Sequence, residues 1–120
     1  MRYMLLIYSK ELPGGGRDLS QRNYDGHRAL MDEAAGKGVL LAAEPLAPVS
    51  SATTVRVQDG QSMVTDGPFA ETKEQLAGYY ILDCKDVHEA VEWAKRIPTV
   101  CRGGEGAVEI RPLPGIPSRP

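Results

Sequence analysis

The amino-acid sequence predicts a single α+β domain in which two helices cover a mainly antiparallel sheet. Two observations favour this class of fold. Short apolar runs alternate with two longer segments whose apolar residues recur every three or four positions, the spacing of one helix face. Two of the short runs flank Asp59-Gly60, a strong local signal for a β-hairpin. The length of 120 residues, 42% hydrophobic and 25% charged, suits one domain around one core.

The first predicted elements are a strand over residues 1–8, a helix over 18–37 and a strand over 39–43. The first strand shows almost no polar alternation, which is typical of a strand covered on both faces. Gly26 disfavours a helix by roughly 1 kcal/mol relative to alanine, so the helix either kinks there or starts at Asp25 as an N-cap. One face of this helix carries Tyr24, His27, Leu30, Met31, Ala34 and Ala35.

The middle of the chain predicts a hairpin of two strands over residues 53–58 and 61–65. A two-residue turn sets the register of these strands and places Val55 opposite Val64. After a charged segment, residues 78–84 form a further apolar strand.

The last third of the chain predicts a helix and a strand. Asp86 is a suitable N-cap, and Glu89 follows three residues later as its capping-box partner. Pro98 ends the helix, Trp93 lies off its apolar stripe, and residues 107–111 form the last strand. The stripe comprises Val87, Ala90, Val91, Ala94 and Ile97.

The order of elements is strand, helix, strand, hairpin, strand, helix, strand, which favours a ferredoxin-like sandwich over residues 1–112. Two helices can cover only one face of the sheet, yet residues 4–8 and 79–82 are apolar on both faces. Such a surface is unusual for a monomer, so we expect a homodimer in which a second copy packs sheet to sheet. The alternative is that the Pro-rich tail, residues 113–120, folds back over the sheet.

Composition argues against several classes of partner. The formal net charge is −2 and the basic residues are scattered, which disfavours nucleic-acid binding. The apolar run at the start is too short to span a membrane and lacks the pattern of a signal peptide. We therefore expect a cytoplasmic protein that contacts neither nucleic acid nor membrane.

Cysteine and histidine usage predicts neither a metal nor a cofactor. Cys84 and Cys101 form no CxxC pattern, so two reduced and partly buried thiols are expected. The two histidines lie on separate helices without clustered carboxylates, a poor metal-ligand set. The run Gly14-Gly15-Gly16 lacks the lysine and hydroxyl residues that end a phosphate-binding loop.

One stretch carries a resemblance to a known family. Residues 64–76, VTDGPFAETKEQL, followed by Gly78-Tyr79-Tyr80, closely resemble the signature of the DGPF branch of the YCII-related family. The opening MRYMLLIY, the TTVRV strand and the closing VEIRP are similar to the same branch, so the resemblance covers nearly the whole chain. It implies a ferredoxin-like fold paired into a dimeric α/β barrel. Most members are uncharacterised, and one YCII relative is a dehydrochlorinase.

The resemblance also implies a site. In YCII proteins, a histidine on the first helix and an Asp-Pro pair at the end of the last helix have been proposed as an active-site dyad. His27 matches the histidine, whereas Ile97-Pro98 stands where Asp-Pro would be. Asp66 and Glu44 are the nearest substitutes for the missing carboxylate, which puts acid–base chemistry of the family type in doubt.

The candidate residues have structural interpretations as well. His27 can transfer protons near neutral pH or pack against a backbone carbonyl. Asp66 can face the same pocket as His27 or serve a turn. Tyr79 and Tyr80 point to opposite sides of their strand, so only one can line a given cavity. The remaining candidate ligand-binding residues are Glu44, Arg56, Pro68 and Phe69, with Arg56 either binding an anion across the dimer or lying on the surface.

Two functions follow from these residues. The first is a dimeric module that binds a small organic molecule or acts as a regulatory accessory. The second is a small lyase or hydrolase acting on a cyclic organic acid, with His27 as general acid or base and Asp66 or Glu44 as its partner. The missing Asp-Pro carboxylate favours the first.

Overall fold

The computed structural model describes residues 1–11, 21–98 and 106–117, and the side chains of all of these except 21–23. Within them the chain forms two α-helices and two antiparallel sheets. In chain order the elements are β1 (Arg2–Ser9), α1 (Gln21–Gly36), β2 (Leu40–Pro45), a short 3-10 helix (Val49–Ser51), β3 (Thr53–Gln58), β4 (Gln61–Asp66), β5 (Gln75–Asp83), α2 (Val87–Ala94) and β6 (Gly106–Leu113).

The larger sheet has four strands in the order β2-β5-β1-β6, and every neighbouring pair is antiparallel. Leu5 in the central strand lies opposite Tyr80 of β5 and Ile110 of β6. Helix α1 connects β1 to β2, and α2 connects β5 to β6. The predicted α+β class, with two helices and antiparallel strands, is confirmed.

The core lies on one face of this sheet because β1 alternates along its length. Tyr3, Leu5 and Ile7 are buried, whereas the residues between them are half-buried. Both helices pack on the buried face. The core cluster comprises Tyr3, Leu5, Ile7, Leu30, Ala34, Val39, Tyr80, Leu82, Cys84, Ala90, Trp93, Ala94 and Ile97.

We call the other side of the sheet the open face and define it by Met4, Leu6, Tyr8, Tyr79 and Ile81. These side chains are half-buried, and the strand register places them opposite the helix layer. Among the residues that the structure describes, the expectation that the first strand is covered on both faces is therefore not met. The described part of the tail does not cover the open face either, since residues 114–117 are exposed.

Helix α1 differs from its prediction at the N-terminal side. It runs continuously through Gly26, and Asp25 lies inside it, so the predicted N-cap at Asp25 is wrong. Burial of Leu30 and Ala34 against the sheet offsets the low helix propensity of glycine. The predicted start at residues 18–20 lies outside the described residues.

The hairpin prediction is confirmed. Val55 lies opposite Val64, and the turn residues Asp59 and Gly60 have φ values of 51° and 76°. Positive φ at both central positions is the requirement of a type I′ turn, which asparagine, aspartate and glycine meet most readily. Strands β3 and β4 form a separate two-stranded sheet whose side chains are mostly exposed.

Helix α2 begins where the sequence predicts it. The Oδ1 atom of Asp86 accepts a hydrogen bond of 3.0 Å from the backbone N–H of Glu89. The Glu89 carboxylate accepts from the N–H of Lys85, one residue before the usual capping-box position. Trp93 is only 7% exposed and belongs to the core, so its predicted place off the stripe is wrong. The buried side is Ala90, Trp93, Ala94 and Ile97.

The edges of the four-stranded sheet are β2 and β6. Pro45 ends β2 and Pro112 lies near the end of β6. Proline is tolerated in edge strands because its missing N–H removes no bond from the interior of a sheet. None of the described helices is long and apolar enough to cross a membrane.

Candidate functional site

His27 and Tyr80 form the most distinctive polar contact of the core. His27 lies on α1, one turn before the buried Leu30, and Tyr80 lies on the helix-facing side of β5. A hydrogen bond of 2.7 Å joins the Nδ1 atom of His27 to the Tyr80 hydroxyl. Their rings meet edge to face, with centroids 6.0 Å apart. Helix and sheet thus hold the imidazole in one orientation at their boundary, where His27 is half-buried.

Burial determines the chemistry of the phenol in this pair. Tyr80 is 5% exposed, and desolvation raises its pKa from 10.0 to about 12. The phenol is neutral at physiological pH, as an ordinary tyrosine is, and burial extends the neutral range to higher pH. It can donate to an unprotonated Nδ1 or accept from a protonated one. A neutral phenol orients an imidazole, but it lacks the negative charge with which a carboxylate stabilises an imidazolium.

The structure places Glu44 on the other side of the sheet from this pair. Glu44 lies directly opposite Tyr79, whereas Ala43 lies opposite Tyr80. Directly opposed residues of antiparallel strands share a face, and successive residues alternate. Glu44 and Tyr79 are therefore brought together on the open face, and the thickness of the sheet separates them from Tyr80.

Asp66 ends β4 in the two-stranded sheet, opposite Thr53, and is exposed. The following Gly67 has a φ of 100°, a conformation that favours glycine. Its N–H donates to the carbonyl of Ala52 at 2.7 Å, and its carbonyl accepts from the Thr54 hydroxyl at 2.8 Å. These bonds give the Asp-Gly turn a structural role at the base of the hairpin.

Two other candidate residues meet at the same turn. The guanidinium of Arg56 lies 4.9 Å from the centre of the Phe69 ring, within the range of a cation–π contact. Phe69 and Arg56 are exposed, and Pro68 between the turn and the ring is half-buried. This cluster lies at the two-stranded sheet, whereas the His27–Tyr80 pair lies at the four-stranded sheet.

Sequence reasoning missed Tyr80 as a functional residue. It selected Tyr79 from the adjacent pair, although it placed the two side chains on opposite sides of the strand. A signal was present in the alternation of β5, because Tyr80 and Leu82 continue the period of the helix-facing side. Which tyrosine faces His27 depends on the pairing of β5 with β1, a long-range contact.

Other titratable groups of the described chain form no comparable site. An open concavity beside α2 is lined by side chains of both charges, including Lys85, Glu92 and Arg96. The Cys84 thiol is a free, buried group whose pKa is raised to about 11, chiefly by desolvation and then by Glu89. Cys101 lies outside the described residues. Among those described, no three His, Cys, Asp or Glu residues are grouped to hold a metal ion.

Comparison with known proteins gives the class of protein that this fold and site represent. The family model of the YCII-related domain matches residues 1–114. A protein of Rhizobium meliloti (strain 1021), described only as uncharacterized, is 34% identical over 115 residues, covering 94% of this chain and 92% of its own length. The chain belongs to the YCII-related family.

Proposed function

We propose that the protein is a homodimeric module of the DGPF branch that binds a small organic acid beside His27. The hydrogen bond between His27 Nδ1 and the Tyr80 hydroxyl carries this proposal. It fixes an imidazole ring at a half-buried position on the helix side of the sheet, where binding needs no further ordering of the side chain. The DGPF signature in residues 64–76 supports the assignment to that branch.

Binding is favoured over catalysis by where the structure places the candidate carboxylates and by what replaces the family carboxylate. The phenol of Tyr80 stays neutral, and Asp66 and Glu44 belong to other surfaces. Ile97, where the family has aspartate, is fully buried in the core. An aliphatic side chain there supports packing and supplies no acid or base.

The chemistry of the pair favours a carboxylate ligand. A protonated imidazole attracts anions and donates charge-assisted hydrogen bonds to carboxylate oxygens. Met31, which follows His27 by four residues on the same helix and is only partly buried, favours a ligand with a hydrocarbon body. A small cyclic acid combines these two properties.

A thermal-shift screen of small organic acids tests this proposal. A ligand that binds only the folded state raises Tm, and the shift grows with the logarithm of the ratio of ligand concentration to dissociation constant. We expect one or more cyclic acids to raise the Tm of the wild type, and the shift to disappear in His27→Ala. His88→Ala is the matched control, because His88 is exposed on α2. An equal shift in His27→Ala would show that the ligand binds elsewhere.

The same hydrogen bond supports a second candidate, a small lyase or hydrolase acting on a cyclic organic acid with His27 as general acid or base. A group that orients an imidazole is a usual companion of a catalytic histidine. Turnover of unsaturated lactones or cyclic acids, lost in His27→Ala but retained in His88→Ala, would favour this activity over simple binding.

Topology supports the ferredoxin-like sandwich, and the open face supports a dimer. The order β2-β5-β1-β6, with a helix joining β1 to β2 and β5 to β6, matches the split β-α-β arrangement of that fold. Met4, Leu6 and Ile81 lie together on the open face, and a second copy packed sheet to sheet would remove them from water. Two such sheets facing each other make the dimeric α/β barrel. The buried thiol of Cys84 suits the reducing cytoplasm.

The dimer is tested by light scattering after size exclusion at micromolar concentration. We expect the mass of two chains for the wild type and of one chain for Leu6→Lys, because an ammonium in the centre of the open face cannot be buried unpaired. Val87→Lys, on the exposed side of α2, is the control and stays dimeric. A wild type with the mass of one chain contradicts the proposed dimer.

A further inference from the structure

We call the hairpin of β3 and β4, residues 53–66, the arm; the described part of the chain leaves much of its surface uncovered. Val55, Val57 and Val64 are 64%, 69% and 67% exposed. The principal contacts of its two strands are with each other. An isolated two-stranded hairpin is marginally stable in water. The arm therefore needs a packing partner, and residues 1–11, 21–98 and 106–117 do not provide one for its valines.

Glu11, which follows β1, holds the base of the arm in place. Its carboxylate accepts a hydrogen bond of 2.8 Å from the N–H of Val49, just before β3. Its own N–H donates to the side-chain carbonyl of Gln75, at the start of β5, at 3.0 Å. Glu11 thus joins the segment that leads into the arm to the start of β5, the strand that follows it.

The three valines of the arm lie on one face, which we call the valine face, whereas Met63 lies on the reverse side opposite Arg56. Val55 lies opposite Val64, and Val57 lies opposite Ser62 on the same side. Branched aliphatic side chains two residues apart on a strand form a continuous apolar strip. The reverse side pairs Gln58 with Gln61 and is polar at the tip.

The area of the open face indicates what covers the valine face. Four strands of about eight residues cover roughly 500 Å² at standard strand spacings. A stable interface buries about 800 Å² on each partner. The open face alone falls short, and one face of the arm adds about 200 Å². Both surfaces together approach the area that a stable pair of chains requires.

We propose that the valine face of each arm packs against the second copy of the chain, next to the paired open faces. This inference rests on the proposed dimer and adds its second contact surface. Because a two-fold dimer uses the same surface twice, each chain both extends an arm and receives one. Val55 and Val64, in the middle of the strip, then become buried in the assembly.

Sedimentation equilibrium across a dilution series tests the contribution of the arm. In the double variant Val55→Thr/Val64→Thr, shape and strand propensity are kept while two methyl groups become hydroxyls. We expect its dimer dissociation constant to rise about 10-fold or more. The control is Gln58→Thr/Gln61→Thr on the polar side, for which we expect a change of less than about 2-fold.

Hydrogen exchange of the wild type gives an independent readout that needs no variant. Amides of β3 and β4 should exchange more slowly above the dissociation constant than below it. Unchanged dimer affinity in the valine variant, or arm exchange independent of concentration, overturns the role of the arm while the dimer stands. A wild type that is monomeric at every concentration overturns the dimer itself, and the two failures are thereby distinguished.

Discussion

At the scale of single residues, the phenol of Tyr80 determines how His27 is presented. It is the one polar group that β5 directs from the core toward α1 among the described contacts. Burial raises its pKa to about 12, so the phenol keeps its proton well above the physiological pH range. The orientation of the candidate ligand-binding residue thus depends on a side chain that itself contributes to folding.

We expect the stability of the protein to fall at high pH because of Tyr80. Its pKa is about 12 when folded and 10 when unfolded, so its contribution is present below pH 10 and is lost as the pH rises through 12. The loss is on the order of 2 kcal/mol. Tyr80→Phe removes this dependence. It also lowers the free energy of unfolding at neutral pH by about 1 kcal/mol, since the hydrogen bond between the Tyr80 hydroxyl and His27 is lost.

Urea unfolding at pH 9 and pH 11.5 measures the effect of Tyr80. Tyr24→Phe is the control, because Tyr24 is exposed on α1 and should keep the wild-type pH dependence. If the free energy of unfolding changed equally between the two pH values in Tyr80→Phe and in the wild type, the buried phenol would have an ordinary pKa.

Residue roles were predictable from the sequence only where the relevant contacts are local. His27 was placed on the correct helix face, and Asp86 was identified as an N-cap because its partner lies three residues away. Tyr80 and Trp93 were missed because their burial depends on strand register and on how α2 sits on the sheet. Neither quantity can be obtained from spacing along the chain.

At the scale of elements, close packing of β2 on β5 depends on a glycine. A Cβ atom added at Gly78 would lie 2.8 Å from the backbone carbonyl oxygen of Glu44 and 3.2 Å from the Cα of Pro45. Both contacts are with backbone, which cannot rotate away as a flexible side chain can. Strand β2 can therefore keep its present distance only while position 78 lacks a side chain.

Gly78→Ala is accordingly expected to lower the free energy of unfolding by about 2 kcal/mol, as β2 shifts away from β5. Gly36→Ala is the matched control. No atom lies within 4 Å of the added Cβ there, and alanine favours the end of α1. Urea unfolding measures both variants. If Gly78→Ala were as stable as the wild type, β2 could move away from β5 without lowering the free energy of unfolding.

Elements with strong local signals were predicted best. The hairpin register followed from Asp59-Gly60, whose positive φ values leave little choice of turn. Strand ends were less predictable: β2 continues through Pro45, although the sequence ended it at residue 43. Proline ends a strand in the middle of a sheet, but the edge position of β2 could not be known without the strand order.

At the scale of the whole molecule, the chain is thin and expanded. Its extents are 50 × 46 × 18 Å, and the smallest suits one sheet with a single layer of helices. The radius of gyration is 16.3 Å, whereas a compact domain of this length has about 14 Å. A flat chain with an exposed arm leaves more of its surface in contact with water than a compact domain of the same length does.

For the proposed dimer we expect Tm to depend on protein concentration. Association stabilises the folded state by mass action, so Tm rises over a hundredfold increase in concentration, by about a few degrees. The Leu6→Lys variant should show a constant Tm over the same range. A wild-type Tm that does not change with concentration would contradict a dissociating dimer, and differential scanning calorimetry decides between the two.

Pro45 and Pro112 have a consequence for how many chains can associate. Each removes one backbone donor from an outer strand of the four-stranded sheet, so further chains are poorly templated strand by strand along its borders. Association through the open face of the sheet is not hindered in this way. Once a second copy covers that face, no further chain can bind there. Chains should therefore not add to the borders of the four-stranded sheet, even in concentrated solution.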